Sequence, residues 1–363
     1  MANTKTHIIF LIGQLGMGGY EKQMTLLVNS IDQSEYIPLI IVWGDEKGPY
    51  NDQLVSNGFE VVSLSGFNVL KKILIIRDYI KRNSSKIIHN YSFYLNLITW
   101  LASLFTSAQP IGAIRSNVVY ESKSMSMLIK FLNLWLPTMI VFNNFSAKKY
   151  LQSTICLPSK KDSIVIQNGI DISLYPKVKY KDGSTTKLIC VGSLTEIKRQ
   201  DWLIRIAKRL DSCKVDIHID IIGDGPLYND LKNQIQNLGL QKIITLHGNQ
   251  DSPIDYLLMA DIFLHTSSAE GFPNSVLEAM AVGLPIIATE VGDVSLMIED
   301  DKQGFVVEKD NFDLFYQRLL YLINEPDRRK KFGLAARKKV ESEYTHHQLI
   351  KNIVNLYNNL QKA

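Results

Sequence analysis

HIIFLIGQLGMGGYEKQ, residues 7–23, reads as a β-strand, a glycine-rich turn and the start of a helix in immediate succession. Residues 7–12 are an apolar run closed by Gly13, short enough for a strand and uniform enough to be covered on both faces. Helical patterning follows over residues 21–31. The chain therefore opens with a βα unit. The glycines between the two elements, Gly13, Gly16, Gly18 and Gly19, let backbone approach a diphosphate, although their spacing is not the G-x-G-x-x-G of dinucleotide-binding turns. A plain strand-to-helix turn is the alternative.

The alternation continues along the chain. Runs at 39–43, 61–64, 87–89, 111–114, 139–143 and 163–166 read as strands, with helical patterns at 51–57, 73–82 and 94–105. After a polar stretch at 177–186 a second series begins, with strands at 188–191, 216–222, 243–246, 262–264 and 286–288 and helices at 202–211, 228–237, 254–259 and 275–282. Strands spaced by helices pair in parallel, with helices on both faces of the sheet. The expected fold is α/β: two Rossmann-like doubly wound domains, residues 1–180 and 181–340, facing each other across a cleft. Ligands of such sheets bind beyond the carboxyl ends of the strands. The tail is helical, and its last part, residues 341–363, is expected either to cross back onto the first domain or to finish the second.

Composition sets limits. At 363 residues the chain is too long for one ordinary core, and 46% hydrophobic with 21% charged residues excludes disorder. The apolar start falls well short of the roughly 20 residues of a membrane span and lacks a signal-peptide cleavage pattern, so a cytoplasmic protein is expected. Cys156, Cys190 and Cys213 are odd in number and widely spaced, which fits neither a disulfide framework nor a zinc site. Residues 1–180 hold 18 Lys and Arg against 11 Asp and Glu, or +7, leaving 22 against 25, or −3, for the rest. A basic first half fits a solvated surface, or an anionic partner such as a lipid diphosphate or the inner face of the plasma membrane. Residues 124–136, rich in Met, Leu, Ile, Phe and Trp and flanked by Lys123 and Lys130, read either as core or as a segment inserting shallowly at such a surface. No nucleic-acid partner is expected.

The chemistry concentrates in AEGFPNSVLEAMA, residues 269–281. Eight helical steps of 100° would leave Glu270 and Glu278 about 80° apart, so they cannot share a helix face. Gly271, Phe272 and Pro273 keep a helix from running through Glu270, whereas residues 275–282 form a helical run closed by Gly283 and Pro285. One carboxylate thus precedes a helix N-terminus and one lies a turn inside it. That N-terminus suits a phosphate, and the carboxylates suit a polyol. Ser275 to Glu278 also reads as a capping box, which would claim the same glutamate. Earlier in the second series, VGSLTEIKRQ (residues 191–200) follows a strand and offers Lys198, with Arg199 as local competitor, to neutralise a diphosphate. IGDGP (residues 222–226) is a tight strand-end turn in which Gly223 shapes the wall of a site.

At these residues the sequence resembles the retaining glycosyltransferase family 4, of GT-B fold. The resemblance rests on the ordered set Gly18-Gly19-Tyr20-Glu21, Asn168-Gly169-Ile170-Asp171, Val191-Gly192 with Lys198, Gly223-Asp224-Gly225-Pro226, and residues 270–281. It implies that Glu270 lies beside the transferred sugar, that Glu278 holds the nucleotide ribose, and that Gly18, Gly19, Gly192 and Lys198 meet the donor diphosphate. The backbone of Phe272, Pro273, Asn274 and Ser275 would complete the phosphate and sugar contacts. Two positions depart from the family pattern. Ser193 stands where an arginine is usual, with Arg199 as a substitute, and His89-Asn90-Tyr91 replaces His-x-His, so that His89 is the remaining catalytic histidine candidate. Tyr91, Arg115 and Asn117 resemble acceptor-side segments of bacterial surface-polysaccharide transferases.

The resemblance implies transfer of a hexose or N-acetylhexosamine from a nucleotide diphosphate sugar, UDP foremost, to a glycan or polyprenyl-diphosphate-linked glycan. Asp-x-Asp does not occur in the sequence, so no metal and no other cofactor are expected, with Lys198 and helix N-termini in their place. Two other readings stay open: a non-catalytic partner that binds a sugar nucleotide for another transferase, and a GT-B epimerase.

Overall fold

The computed structural model describes residues 5–45, 47–116, 125–154, 162–180, 185–250 and 252–362. The chain divides into two compact units, Met1–Gly169 with His346–Ala363, and Ile170–Thr345. Asn117 and Cys156 lie outside the described residues.

Unit 1 holds β1 (Thr6–Ile12), β2 (Tyr36–Val42), β3 (Glu60–Ser63), β4 (Ile87–Asn90), β5 (Gln109–Ile114), β6 (Met139–Phe142) and β7 (Ser163–Val165). They form one sheet in the order β3-β2-β1-β4-β5-β6-β7, every neighbouring pair parallel. The order reverses between β1 and β4, which makes the carboxyl ends of these two strands the natural ligand end. Its helices are α1 (Gly19–Ser30), α2 (Pro49–Ser56), α3 (Val69–Arg82), α4 (Asn96–Ser103), α5 (Met127–Trp135) and α6 (Phe145–Thr154). Side chains of β1 alternate between two buried layers: Ile8, Phe10 and Ile12 pack with Met24, Leu27 and Val28 of α1, whereas Ile9 and Leu11 pack with Ile73, Ile76 and Ile80 of α3. This two-sided burial is why residues 8–12 show no polar alternation.

Unit 2 repeats the plan with β8 (Thr186–Val191), β9 (Ile217–Ile222), β10 (Ile244–Leu246), β11 (Ile262–His265), β12 (Ile286–Thr289) and β13 (Gly304–Val307), in the order β10-β9-β8-β11-β12-β13. All its pairings are parallel. The helices are α7 (Asp201–Ser212), α8 (Tyr228–Asn237), α9 (Ile254–Met259), α10 (Asn274–Val282), α11 (Val294–Met297), α12 (Phe312–Asn324) and α13 (Pro326–Glu343). A last helix, α14 (His346–Lys362), belongs to unit 1, where Leu349, Ile353, Leu356 and Tyr357 enter the core beside α1.

The unit boundaries differ from the sequence-based expectation of 180 and 340. The polar stretch near 180 is not the divide, because Tyr175 and Val178 are buried in unit 2, and Ile170 N–H donates to Tyr344 O at 2.8 Å. Arg337, on α13, fastens this segment by donating to Tyr175 O at 2.5 Å and to Ala281 O. At the other end, α13 continues to Glu343 before Tyr344 and Thr345 interrupt the helix. Elements absent from the expected series, α5, α6, α11, α12 and β13, add to these layers without changing the topology.

Candidate active site

In unit 2 the carboxyl ends of β8, β9, β11 and β12 bring the sequence candidates together. Gly223, after β9, has φ +138°, and a Cβ there would lie 2.0 Å from Gly192 O. Only glycine allows these two strand ends to touch backbone to backbone. Beyond Gly192 the chain makes a 3-10 turn, Glu196–Lys198, which returns Lys198 over the glycine: a Cβ on Gly192 would stand 3.7 Å from Lys198 Cε.

The segment after β11 is fastened from both sides. Thr266 Oγ1 donates to Lys198 O at 2.7 Å, and Ser268 N–H to Ile197 O at 2.7 Å. On the other side Thr289 Oγ1 donates to Ser267 O at 2.6 Å, and Asp293 N–H to Gly271 O at 2.9 Å. Gly292, at φ +55°, sits so close that its Cβ would fall 2.3 Å from Gly271 O. These bonds hold Glu270 against Lys198.

The Glu270 carboxylate takes three partners on one oxygen, Oε1. Lys198 Nζ forms the ion pair, Ser267 Oγ donates at 2.8 Å, and His265 Nε2 stands at 3.2 Å. Burial pushes the Glu270 carboxyl up, but the Lys198 ammonium and His265 outweigh it and hold the group well below the usual carboxylate range. Glu270 is therefore an ionised, fixed, mostly buried carboxylate. Beneath it, burial raises the Cys190 thiol to about 12, so the thiol stays neutral. His265 and Ser267 did not emerge from the sequence. The available signal was a histidine ending the apolar run of β11, five residues before Glu270.

Helix α10 begins at Asn274, with Pro273 in the capping position and no side-chain cap bond. The expected capping box is thus absent, because Ser275 lies inside the first turn instead of before it. Glu278 is buried on α10 at 6% exposure. Phe272 turns its ring inward, 5.6 Å from that of Tyr344, leaving its backbone as the part able to serve a ligand. Arg199 is not brought to Glu270. Its positive φ of 54° sends the side chain over Trp202 and into hydrogen bonds with Lys309 O and Asp310, each at 2.9 Å. It does not make good the cation lost at Ser193.

The remaining candidates lie in unit 1. Gly18 caps α1 and Gly19 is its first residue. The carboxylate of buried Glu21 lies against this turn: a Cβ on Gly18 would be 2.0 Å from Glu21 Oε2. His89, expected to be catalytic, is a core side chain. It is fully buried, with Nδ1 at 2.7 Å from Tyr357 Oη and its ring 4.9 Å from that of Tyr91. Burial and the nearby Arg115 push its imidazole well below the usual range, so it stays neutral. Arg115 stacks on Tyr91, its guanidinium carbon 3.7 Å from the ring centroid. Among the described residues no cluster of His, Cys, Asp and Glu is placed to hold a metal ion, and no helix is long and apolar enough to cross a membrane.

Residues 171–339 match the family model of glycosyl transferases group 1. The UDP-Gal:alpha-D-GlcNAc-diphosphoundecaprenol alpha-1,3-galactosyltransferase of Escherichia coli is 24% identical over 306 residues, 77% of this chain and 79% of that one. The N-acetyl-alpha-D-glucosaminyl L-malate synthase of Bacillus anthracis is 27% identical over 206 residues, 54% of either chain, so that match spans about half of the relative. Among solved structures, Anabaena HepE in complex with UDP superposes with a TM-score of 0.83 at 16% identity, over 98% of this chain and 100% of that one. That likeness carries the fold, GT-B.

Proposed function

Because residues 171–339 form a glycosyl transferases group 1 domain, we propose that the chain is a retaining, metal-independent glycosyltransferase that moves a hexose or N-acetylhexosamine from a UDP-sugar to a glycan borne on a polyprenyl diphosphate. The E. coli relative's name supplies the donor and acceptor classes. The observation that carries the reading is Glu270, kept ionised by Lys198 and His265 and standing four residues before the N-terminus of α10.

The roles follow from charge. As the bond from the anomeric carbon to the donor phosphate breaks, positive charge grows on the sugar and negative charge on the phosphate. Lys198 and the N–H groups opening α10 serve the phosphate; the Glu270 carboxylate stabilises the sugar from a fixed position. The acceptor hydroxyl forms the new bond on the face the phosphate leaves, and its proton passes to the departing phosphate oxygen. Glu278 is assigned to the ribose hydroxyls. Exposed apolar residues on α5, among them Met127, Leu128, Ile129 and Phe131, fit peripheral attachment at the cytoplasmic membrane face, where such an acceptor resides.

Donor turnover tests the assignment. Release of UDP from UDP-galactose, UDP-glucose or UDP-N-acetylglucosamine should fall by about 10²–10³ in Glu270→Gln while UDP affinity stays measurable. Near-normal turnover by that variant would remove Glu270 from the chemistry. A second reading, a sugar-nucleotide-binding subunit without activity, draws on Ser193 and the diverted Arg199. Turnover by the purified chain excludes it.

A further inference from the structure

Arg115 directly follows β5 and is 5% exposed. Its Nε is buried without a hydrogen-bond partner, and so are Ser116 Oγ and His89 Nε2. Among the described residues the titratable groups around it are His89, Tyr91 and Tyr357, and none of these brings a negative charge: burial lowers the histidine and raises both tyrosines. Among the described residues the guanidinium's partner is Tyr91, whose ring centroid lies 3.7 Å from the guanidinium carbon. Such stacking offsets only part of the cost of burying a charge that has no opposite charge beside it. A cation in this state calls for an anion.

Its place in the fold says where the anion would enter. Tyr91 follows β4 and Arg115 follows β5, at the carboxyl ends of strands beside the point where the strand order reverses. In doubly wound sheets that end receives the ligand. Of the anions a guanidinium recognises, a phosphate matches it best, because its oxygens can accept two N–H bonds in parallel. We propose that Arg115, held flat by Tyr91 and followed by the Ser116 hydroxyl, is a phosphate-binding site of unit 1. The site stands on this geometry; its assignment to the diphosphate of a lipid-linked acceptor rests on the function proposed above.

Calorimetric titration of the full chain with inorganic pyrophosphate, in saturating UDP so that the donor seat is filled, reads this site. The wild type binds, and Arg115→Met weakens binding by about tenfold or more while leaving UDP affinity unchanged. Geranyl diphosphate binding more tightly than pyrophosphate through Arg115 assigns the site to a lipid-linked diphosphate, and equal affinities assign it to a free phosphate. Absence of pyrophosphate binding, or equal binding by Arg115→Met, overturns the proposal. Because the variant removes an uncompensated charge, it should melt no lower than the wild type without ligand; a lower melting temperature with unchanged pyrophosphate affinity gives Arg115 to the fold and also overturns it. A chain that grips pyrophosphate through Arg115 but does not bind UDP loses the donor assignment and keeps this one.

Discussion

Glu270 shows how a single oxygen can set the behaviour of a site. Lys198, His265 and Ser267 all converge on Oε1, so the carboxylate is oriented as well as charged. A carboxyl whose folded value is depressed below its ordinary 4.5 contributes stability that is present above that pH and is lost as the pH falls through the depressed value. His265→Phe removes one of the influences that depress it. Acid unfolding followed by circular dichroism should then begin at a higher pH than in the wild type, and the acid limb of donor turnover should move the same way. An unmoved acid transition would mean that Lys198 alone sets the charge. Glu270 was legible because Gly271, Phe272 and Pro273 set it before a helix, and Lys198 because it follows the first strand of the second series, but nothing in the sequence paired the two. His265 was not, since a histidine closing an apolar strand looks like an ordinary core residue until the loop folds back on it. Arg199 was misread for a related reason: the left-handed turn that directs its side chain away leaves no mark in composition.

Legibility did not follow length: the short β7 and β10 were expected, whereas the longer helices α6 (Phe145–Thr154) and α12 (Phe312–Asn324) were not. All the expected strands are present, but β13 is only Gly304–Val307 and offers no alternation to recognise. The polar stretch near residue 180 suggested a divide because its charges hide the two anchors, Tyr175 and Val178. Helix α5 is the element whose role is most exposed to test. Met127 and Leu128 are 68% and 67% exposed, and Phe131 stacks on Trp135 at 4.9 Å, so an apolar surface is held ready outside the core. Each such side chain is worth about 1.5–3 kcal/mol when taken out of water. The full chain should therefore sediment with vesicles containing anionic phospholipid, and Leu128→Asp with Phe131→Asp should abolish this without lowering the melting temperature. A wild-type chain that stays in the supernatant leaves α5 no membrane role.

At the scale of the molecule, the decisive fact is that α14 comes last in the chain and belongs to the first unit. Leu349, Ile353, Leu356 and Tyr357 fill the layer beside α1, and Tyr357 also accounts for the one hydrogen bond of the buried His89 ring. Losing four such side chains costs about 1.5–3 kcal/mol each, together comparable to the whole stability of an ordinary domain. A chain ending at Thr345 should keep unit 2 folded and lose unit 1. Limited trypsin digestion reads this directly: sites within residues 5–169 become cleavable while those within 170–345 stay protected. Equal protection of both units would show that α14 is dispensable.

The same threading orders events on the ribosome. Unit 1 is not finished until residues 346–363 have emerged, after the whole of the unit inserted between Gly169 and His346. A nascent chain thus carries a complete sheet with one helical layer still open while unit 2 is made, and a stop before residue 346 leaves that open layer beside α1 as a mark by which proteases can tell a fragment.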